Sequence, residues 1–127
     1  MTGTLRQAIV DANANPGADV IQFNPGATGT ITLTSGELDI TDAVDLQGPG
    51  ASVVTVSGNN ASLVFRVSVS ATISGLTITG GISSNGGGIY NTGSLTVRNS
   101  TFDSNTGFNS PIVGTAGIIN HGQRPWY

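Results

Sequence analysis

Residues 71–105 read ATISGLTITGGISSNGGGIYNTGSLTVRNSTFDSN, and the two short strand-like runs in this stretch decide the fold. Apolar residues of the first run recur in the second run at a constant distance. Ile73 precedes Val97 by 24 positions (97 − 73). Ile78 likewise precedes Phe102 by 24 positions (102 − 78). Because apolar and polar residues alternate in both runs, each run is typical of a short strand with one buried side.

A glycine-rich segment separates the two runs and returns further along the chain. It reads GGGIYNTG at residues 86–93, and its relative reads GIINHG at residues 117–122. Gly88 and Gly117 are 29 positions apart (117 − 88). Self-similarity at a period of about 20 to 30 residues, built from strands and turns, is typical of a solenoid. The sequence therefore predicts an all-β parallel β-helix whose stacked coils bury an inward row of Ile, Leu and Val.

The composition fits one domain and argues against several classes of function. The chain has 127 residues, of which 9% are charged, compared with about 25% in an average soluble domain. The absence of Lys and the net charge of −3 argue against a nucleic-acid partner, which needs clustered cations. The absence of Cys excludes disulfides and thiolate metal sites. No apolar run approaches the roughly 18 residues of a membrane span, so none is expected.

Residues 3–13, GTLRQAIVDAN, have a helical pattern. Four apolar residues recur at i, i+3, i+4 and i+7 and form one stripe: Leu5, Ala8, Ile9 and Ala12. Thr4 is the predicted N-cap, and Gln7 three residues later is expected to complete a capping box. We expect this amphipathic helix to cover one end of the solenoid, because an uncovered end exposes both the core and the strand edges.

The remainder of the single domain, 1–127, divides into coils and a less regular end. Residues 19–106 are predicted to form the coils, with short strands joined by Gly- and Asn-rich turns. Residues 107–127 depart from the pattern, most clearly after Gly122, where Pro125 stands in the expected strand. We expect this segment to be an irregular last coil or a tail.

Several segments resemble those of a known protein group. GTLRQAI at residues 3–9 is similar to the motif Cys-Ser-Leu-Arg-Glu-Ala-Ile, with Gly in place of Cys and Gln in place of Glu. This motif opens the first domain of some right-handed parallel β-helix repeat proteins of bacterial surfaces. LTITGG at residues 76–81 and GGGIYN at residues 86–91 also resemble that group. The resemblance covers residues 3–106 and implies a right-handed parallel β-helix of the pectate-lyase-like superfamily.

The resemblance also implies a location and two classes of function. Proteins of the group are large and secreted or surface-displayed, and some are adhesin-like. No secretory signal is visible in this chain, and Met1 followed by Thr-Gly-Thr reads as an internal start, so we expect a fragment of such a protein. Because the wider superfamily includes pectate lyases, a binding module and a polysaccharide-degrading enzyme both remain open.

Asp39, Asp42 and Asp45 are the candidate metal ligands and the first candidate catalytic residues. The alternation of the flanking strands predicts that Asp39 and Asp45 point outward, with Asp42 at the bend. Calcium prefers several oxygen ligands from flexible carboxylates, and polyuronate lyases that this fold resembles use such acidic clusters. Ca²⁺ is therefore the one cofactor considered. The alternative is that outward carboxylates keep a Lys-free surface soluble and deter edge pairing.

Arg98 and Asp103 complete the candidate catalytic set. A lyase needs a base that removes a proton beside a carboxylate, and Arg serves as this base in enzymes that the fold resembles. Arg98 follows the inward Val97, so it is expected to face solvent with Asp103 a short turn away. The alternative is a surface ion pair that contributes roughly 0 to 1 kcal/mol.

Tyr90 and Trp126 are candidate ligand-binding residues, because an aromatic ring with a polar group can stack on a sugar. Trp126 stands between Pro125 and Tyr127, where the alternatives are a frayed tail or a plug on the last coil. Since an open β edge recruits a partner, we also predict a homo-oligomer that forms through the C-terminal coil.

Alternating threonines at residues 30–34 and 77–79 suggest a further interpretation, because an ice-binding surface needs a flat threonine array. The pairs do not recur in every coil of the predicted repeat, and Thr96 and Thr101 are expected to break the register. Ice binding is therefore not favoured from the sequence.

These patterns favour a structural or binding module of a surface β-helix protein, with a polar face turned to a glycan or another protein. The alternative is a lyase or hydrolase acting on polysaccharide. The enzyme requires its acid and base groups to converge on one outer face. Asp39, Asp45 and Arg98 must therefore lie together if the alternative is right.

Overall fold

A computed structural model shows a parallel β-solenoid of about three turns with one short helix at its N-terminal end. The structure describes residues 4–83, 87–107 and 118–120, with the backbone alone for Gly107 and for 118–120. The predicted all-β parallel solenoid with an N-terminal helix is confirmed. Its right-handed sense stays a prediction.

The helix α1 spans Leu5–Ala14. Thr4 caps it as predicted, because the Thr4 hydroxyl accepts a hydrogen bond of 3.1 Å from the Gln7 backbone N–H. The second half of the expected capping box is not formed. The Gln7 side chain instead donates to the Asp11 carboxylate at 2.8 Å, one helical turn further on.

The helix covers part of one end of the solenoid, as its apolar stripe predicts. Leu5, Ile9 and Ala12 are buried and belong to the same core as the strands. Arg6 fixes the helix from the polar side, since its guanidinium donates hydrogen bonds to the carbonyls of Gly36 and Glu37. Both carbonyls lie just before β3, so the helix and the start of this strand are tied together.

Short strands make up the rest of the described chain. In chain order, β1 to β14 are Asp19–Gln22, Gly29–Thr32, Leu38–Ile40, Val44–Gln47, Val54–Ser57, Phe65–Val67, Ser70–Ser74, Thr77–Thr79, Ile82–Ser83, Ile89–Asn91, Ser94–Arg98, Thr101–Asp103, Thr106–Gly107 and Ile118–Asn120. Three sheets run along the solenoid, in the orders β1-β4-β7-β11, β2-β5-β8-β12 and β3-β6-β10-β14, and β9 pairs with β13. Every one of these pairings is parallel.

The strand register confirms the recurrences read from the sequence. Val97 lies opposite Ile73, the pair separated by 24 positions. Ile118 lies opposite Ile89 at the longer spacing of 29 positions. The predicted last coil thus begins as a strand at 118–120. The remainder of 107–127, beyond Gly107 and this strand, lies outside the described residues.

The core is the inward row of every coil. Side chains with no exposed surface include Leu46, Val56, Ile73 and Ile78, one from each of four strands. Each of these strands alternates between inward apolar and outward polar residues. Since burying such a side chain contributes about 1.5–3 kcal/mol, the interior supplies most of the stability of the fold.

Candidate functional site

The three long sheets bury mainly aliphatic residues, and they differ most in what they present to solvent. We name three outer faces after their chemistry. The charged face comprises Glu37 and the outward residues of β3, β6 and β10: Asp39, Arg66 and Tyr90. The amide face comprises the outward residues of β1-β4-β7-β11, and the threonine face those of β2-β5-β8-β12.

The charged face is organised by the strand register. Asp39, Arg66 and Tyr90 occupy the same position on three successive strands, so their side chains form one column. Neighbouring strands lie about 4.8 Å apart, a distance at which side chains of this size touch. Glu37 joins the column from the corner before β3, where its carboxylate forms a salt bridge with the Arg66 Nε.

Arg66 is the centre of the charged face. Its Cζ lies 5.2 Å from the centroid of the Tyr90 ring, within the range of a cation–π contact. The hydrogen bond to Glu37 raises the pKa of Arg66 above its ordinary value, so the guanidinium stays charged. The Arg66 side chain is 46% exposed and that of Glu37 is 32% exposed, so both remain in contact with solvent.

The N-terminal helix positions β3, the edge strand that carries Asp39. The Asn13 side chain donates to the Asp39 carbonyl at 2.8 Å and accepts from the Thr41 N–H at 3.0 Å. These two bonds occupy backbone groups on both sides of Ile40 and act like a further strand at that edge. β3 is therefore held by the helix at one edge and by β6 at the other.

The amide face carries a different column of polar groups. Gln22, Gln47, Ser74 and Arg98 stand in register on β1, β4, β7 and β11. Gln22 donates to Gln47 at 3.0 Å, and Gln47 donates to the Asp45 carboxylate at 2.8 Å. The Asp45 carboxylate is thus engaged within its own sheet.

The calcium site predicted from Asp39, Asp42 and Asp45 is not assembled. Asp39 lies on β3 and Asp45 on β4, which belong to different sheets, so the corner between the strands turns the two carboxylates apart. Among the residues that the structure describes, no group of three or more His, Cys, Asp or Glu side chains is placed to hold a metal ion. Asp42 sits at the corner, where its Oδ2 is buried and has no hydrogen-bond partner among the described residues.

The candidate catalytic residues are also distributed over three faces. Arg98 shares the amide face with Asp45, but two strands and two residues separate them, or about 12 Å between Cα atoms at ordinary strand spacing. Asp39 lies on the charged face. The convergence that a lyase site requires is therefore not formed by Asp39, Asp45 and Arg98.

Asp103 ends β12 on the threonine face and accepts a hydrogen bond of 3.2 Å from the Ser104 hydroxyl. Arg98 lies on a different sheet, and the ion pair expected between these two residues is not formed. Within the described ranges, the salt bridge of the chain is the one between Arg66 and Glu37.

Of the two candidate aromatic residues, the structure places one. Tyr90 is half-buried on the charged face against Arg66. Trp126 lies outside the described residues, as does most of the C-terminal coil proposed to form the oligomer. A signal for the Arg66–Tyr90 pair was present in the sequence, because the residues are 24 positions apart (90 − 66), the same repeat that relates Ile73 to Val97.

The threonine face overturns one expectation from the sequence. Thr101 does not break the threonine register, because it pairs directly with Thr77 on the neighbouring strand. Thr96 is not part of the threonine face at all, because it lies on β11 and points outward on the amide face. The outward positions of β2, β5, β8 and β12 are therefore threonine or serine in all but one case, which is Asp103.

No family model matches this chain, and no curated protein or solved structure is detectably similar to it. The resemblance to bacterial surface repeat proteins therefore stays a prediction. In the described part of the chain, no helix is long and apolar enough to cross a membrane.

Proposed function

We propose that this chain is a binding module of a secreted or surface-displayed β-solenoid, adhesin-like in role, that presents its charged face to a glycan. The observation that carries the proposal is the column of Asp39, Arg66 and Tyr90 with Glu37 beside it. An aromatic ring, two carboxylates and a guanidinium are here held together on a sheet.

Sugars present groups that such a column can bind, namely apolar C–H faces and hydroxyls that both donate and accept. The Tyr90 ring offers a surface for stacking. The carboxylates of Glu37 and Asp39 accept from hydroxyls, and the guanidinium of Arg66 donates to them. Strand pairing fixes the backbone of the column before the ligand arrives, which lowers the conformational entropy lost on binding.

The formal charges favour an uncharged glycan over a polyuronate. Glu37 and Asp39 contribute two negative charges and Arg66 one positive charge, which leaves the charged face with a net charge of −1. The Arg66 charge is already paired with Glu37. A polyanionic chain would therefore be repelled more than attracted by this face.

The test is a glycan panel that includes neutral polysaccharides and polyuronates, scored for binding and for cleavage with and without Ca²⁺. The parent is expected to bind a neutral glycan, and Tyr90→Ala is expected to weaken that binding about tenfold through loss of stacking. Thr72→Ala is the matched control, because Thr72 is an outward residue of the amide face.

Absence of binding to every glycan in the panel, by a parent that melts cooperatively, would contradict the proposal. Cleavage of a polysaccharide would support the enzyme alternative instead. Equal loss of binding in Tyr90→Ala and Thr72→Ala would move the site away from the charged face.

A further inference from the structure

The threonine face consists of two straight columns of outward side chains. The first column runs across β2, β5, β8 and β12 as Thr30, Thr55, Thr77 and Thr101. The second column runs across the same strands as Thr32, Ser57, Thr79 and Asp103. Each strand thus contributes one residue to each column, with an inward apolar residue between them.

These columns are difficult to see in the sequence because the coils differ in length. Thr30 and Thr55 are 25 positions apart (55 − 30), Thr55 and Thr77 are 22 apart (77 − 55), and Thr77 and Thr101 are 24 apart (101 − 77). The corners absorb these differences, so the strands themselves pair residue for residue. A recurrence that looks irregular along the chain is regular in space.

The two columns form a nearly rectangular grid of side chains. Neighbouring strands are about 4.8 Å apart, and alternate residues of one strand are about 7 Å apart. Four strands therefore give a patch about 14 Å long.

Six of the eight side chains of the grid are threonine, and all except Asp103 are neutral. Threonine is β-branched, which restricts its χ1 angle, so its methyl and hydroxyl groups have few alternative positions. The Thr77 hydroxyl donates to the Ala51 carbonyl at 2.6 Å, and this bond orients its methyl group. The hydroxyls of Thr30, Thr55 and Thr79 form no hydrogen bond to any residue that the structure describes.

We propose that the threonine face binds the surface of ice. Oxygen atoms on the prism face of hexagonal ice repeat on a rectangular grid whose two spacings are close to those of the columns. Hydroxyl groups can occupy lattice positions as donor and acceptor, while methyl groups exclude disordered water between them. A neutral face suits this partner, because charged groups hold hydration shells that do not fit the lattice.

Asp103 marks the limit of the face. It is the one charged residue in the two columns, and it stands at the end of the second column rather than at the centre. The proposed site lies on a different sheet from the charged face, so ice binding and glycan binding can each fail without the other.

The test compares three variants of the full chain with the parent for inhibition of ice recrystallisation and for uptake into slowly grown ice. Thr55→Tyr places a bulky ring at the centre of the grid and is expected to abolish both activities. Thr72→Tyr makes the same change at an outward threonine of the amide face and is expected to keep them. Cooperative thermal melting of each variant checks that the fold is retained.

Asp103→Thr supplies a gain of activity that does not depend on a damaging substitution. It completes the second column and is expected to lower the protein concentration needed to inhibit recrystallisation. A parent that neither inhibits recrystallisation nor enters ice would overturn the proposal. Equal losses in Thr55→Tyr and Thr72→Tyr, with the fold intact, would overturn it as well.

Discussion

The threonine face and the charged face lie on two sheets of the same solenoid and differ in how they repeat. On the threonine face each strand adds a threonine to the first column, and every strand except β12, which carries Asp103, adds a threonine or serine to the second. On the charged face three different residues follow one another as Asp39, Arg66 and Tyr90. A repeating column suits a partner that is itself a lattice, whereas a column that does not repeat suits one discrete ligand.

The difference between the faces is confined to the outer surface. Behind the threonine face lie Val56 and Ile78, and behind the charged face lie Phe65 and Val67, all with no exposed surface. The inward residues behind both faces are apolar because they belong to one core. Outward residues do not have to fit the core, so differences in binding between the faces depend on the outward side chains.

The largest expected effect comes from charging the shared core. Ile78→Asp and Val67→Asp each bury an unpaired carboxylate, at a cost of several kcal/mol, and both are expected to unfold the domain. Thr79→Asp, one residue from Ile78 but outward, is expected to keep the fold. Thermal unfolding followed by circular dichroism measures all three. Cooperative melting of Ile78→Asp near the parent temperature would contradict an inward Ile78.

A smaller effect is expected at the corners that lead into the two faces. Gly75 precedes β8 with φ of +68°, and a Cβ at this position would collide with the Gly48 carbonyl of the neighbouring coil. Gly36 precedes β3 with φ of +91°, but a Cβ there would meet open space. A residue with a side chain would be strained by the positive φ at either position. Only at position 75 would its Cβ also clash with the neighbouring coil.

Gly36→Ala is therefore expected to cost about 1–2 kcal/mol, the strain of a positive φ alone. Gly75→Ala is expected to cost about 3 kcal/mol, near the upper end of ordinary single substitutions. Urea unfolding gives both free energies. Equal costs at the two corners would show that the coils do not approach closely at Gly48 and Gly75.

The smallest expected effect is on the charged face. Glu37→Gln removes the salt bridge to Arg66, and because both side chains are partly exposed the loss is about 0–1 kcal/mol. The difference should diminish in high salt, which screens the pair. Thr79→Val on the threonine face is the control variant for Glu37→Gln. It changes no charge, so its effect on the free energy of unfolding should not depend on salt. A salt-independent loss in Glu37→Gln would rule out an electrostatic origin.

The sequence predicts the solenoid better than it predicts the sites. The helix, its Thr4 cap and the 24-residue recurrence follow from local patterns, and the structure contains all three. The Glu37–Arg66 salt bridge joins residues 29 positions apart across corners of unequal length, so no fixed period predicts it. The carboxylates of Asp39 and Asp45 are near in sequence and separated in space, because a corner lies between them.

The threonine columns also show that strand pairing between coils is hard to predict from sequence spacing. At the 24-residue period Thr101 is in step with Thr77, but the earlier spacings in this column are 25 and 22 positions, so no single period finds all of it. Thr96 belongs to a different sheet. Corner lengths are set by glycine and asparagine turns whose geometry the strand pattern does not encode. The register between coils therefore has to come from the folded structure.

Cross-linking of paired cysteines tests this register most directly, and the parent chain contains no cysteine that would interfere. A short dithiol reagent that fluoresces only when it bridges two thiols is applied to Thr77→Cys/Thr101→Cys and to Thr77→Cys/Thr96→Cys. The first pair stands opposite in neighbouring strands, about 4.8 Å apart, and is expected to be bridged. The second pair lies on two different faces and is expected to remain unbridged. Bridging of the second pair and not the first would contradict the threonine columns.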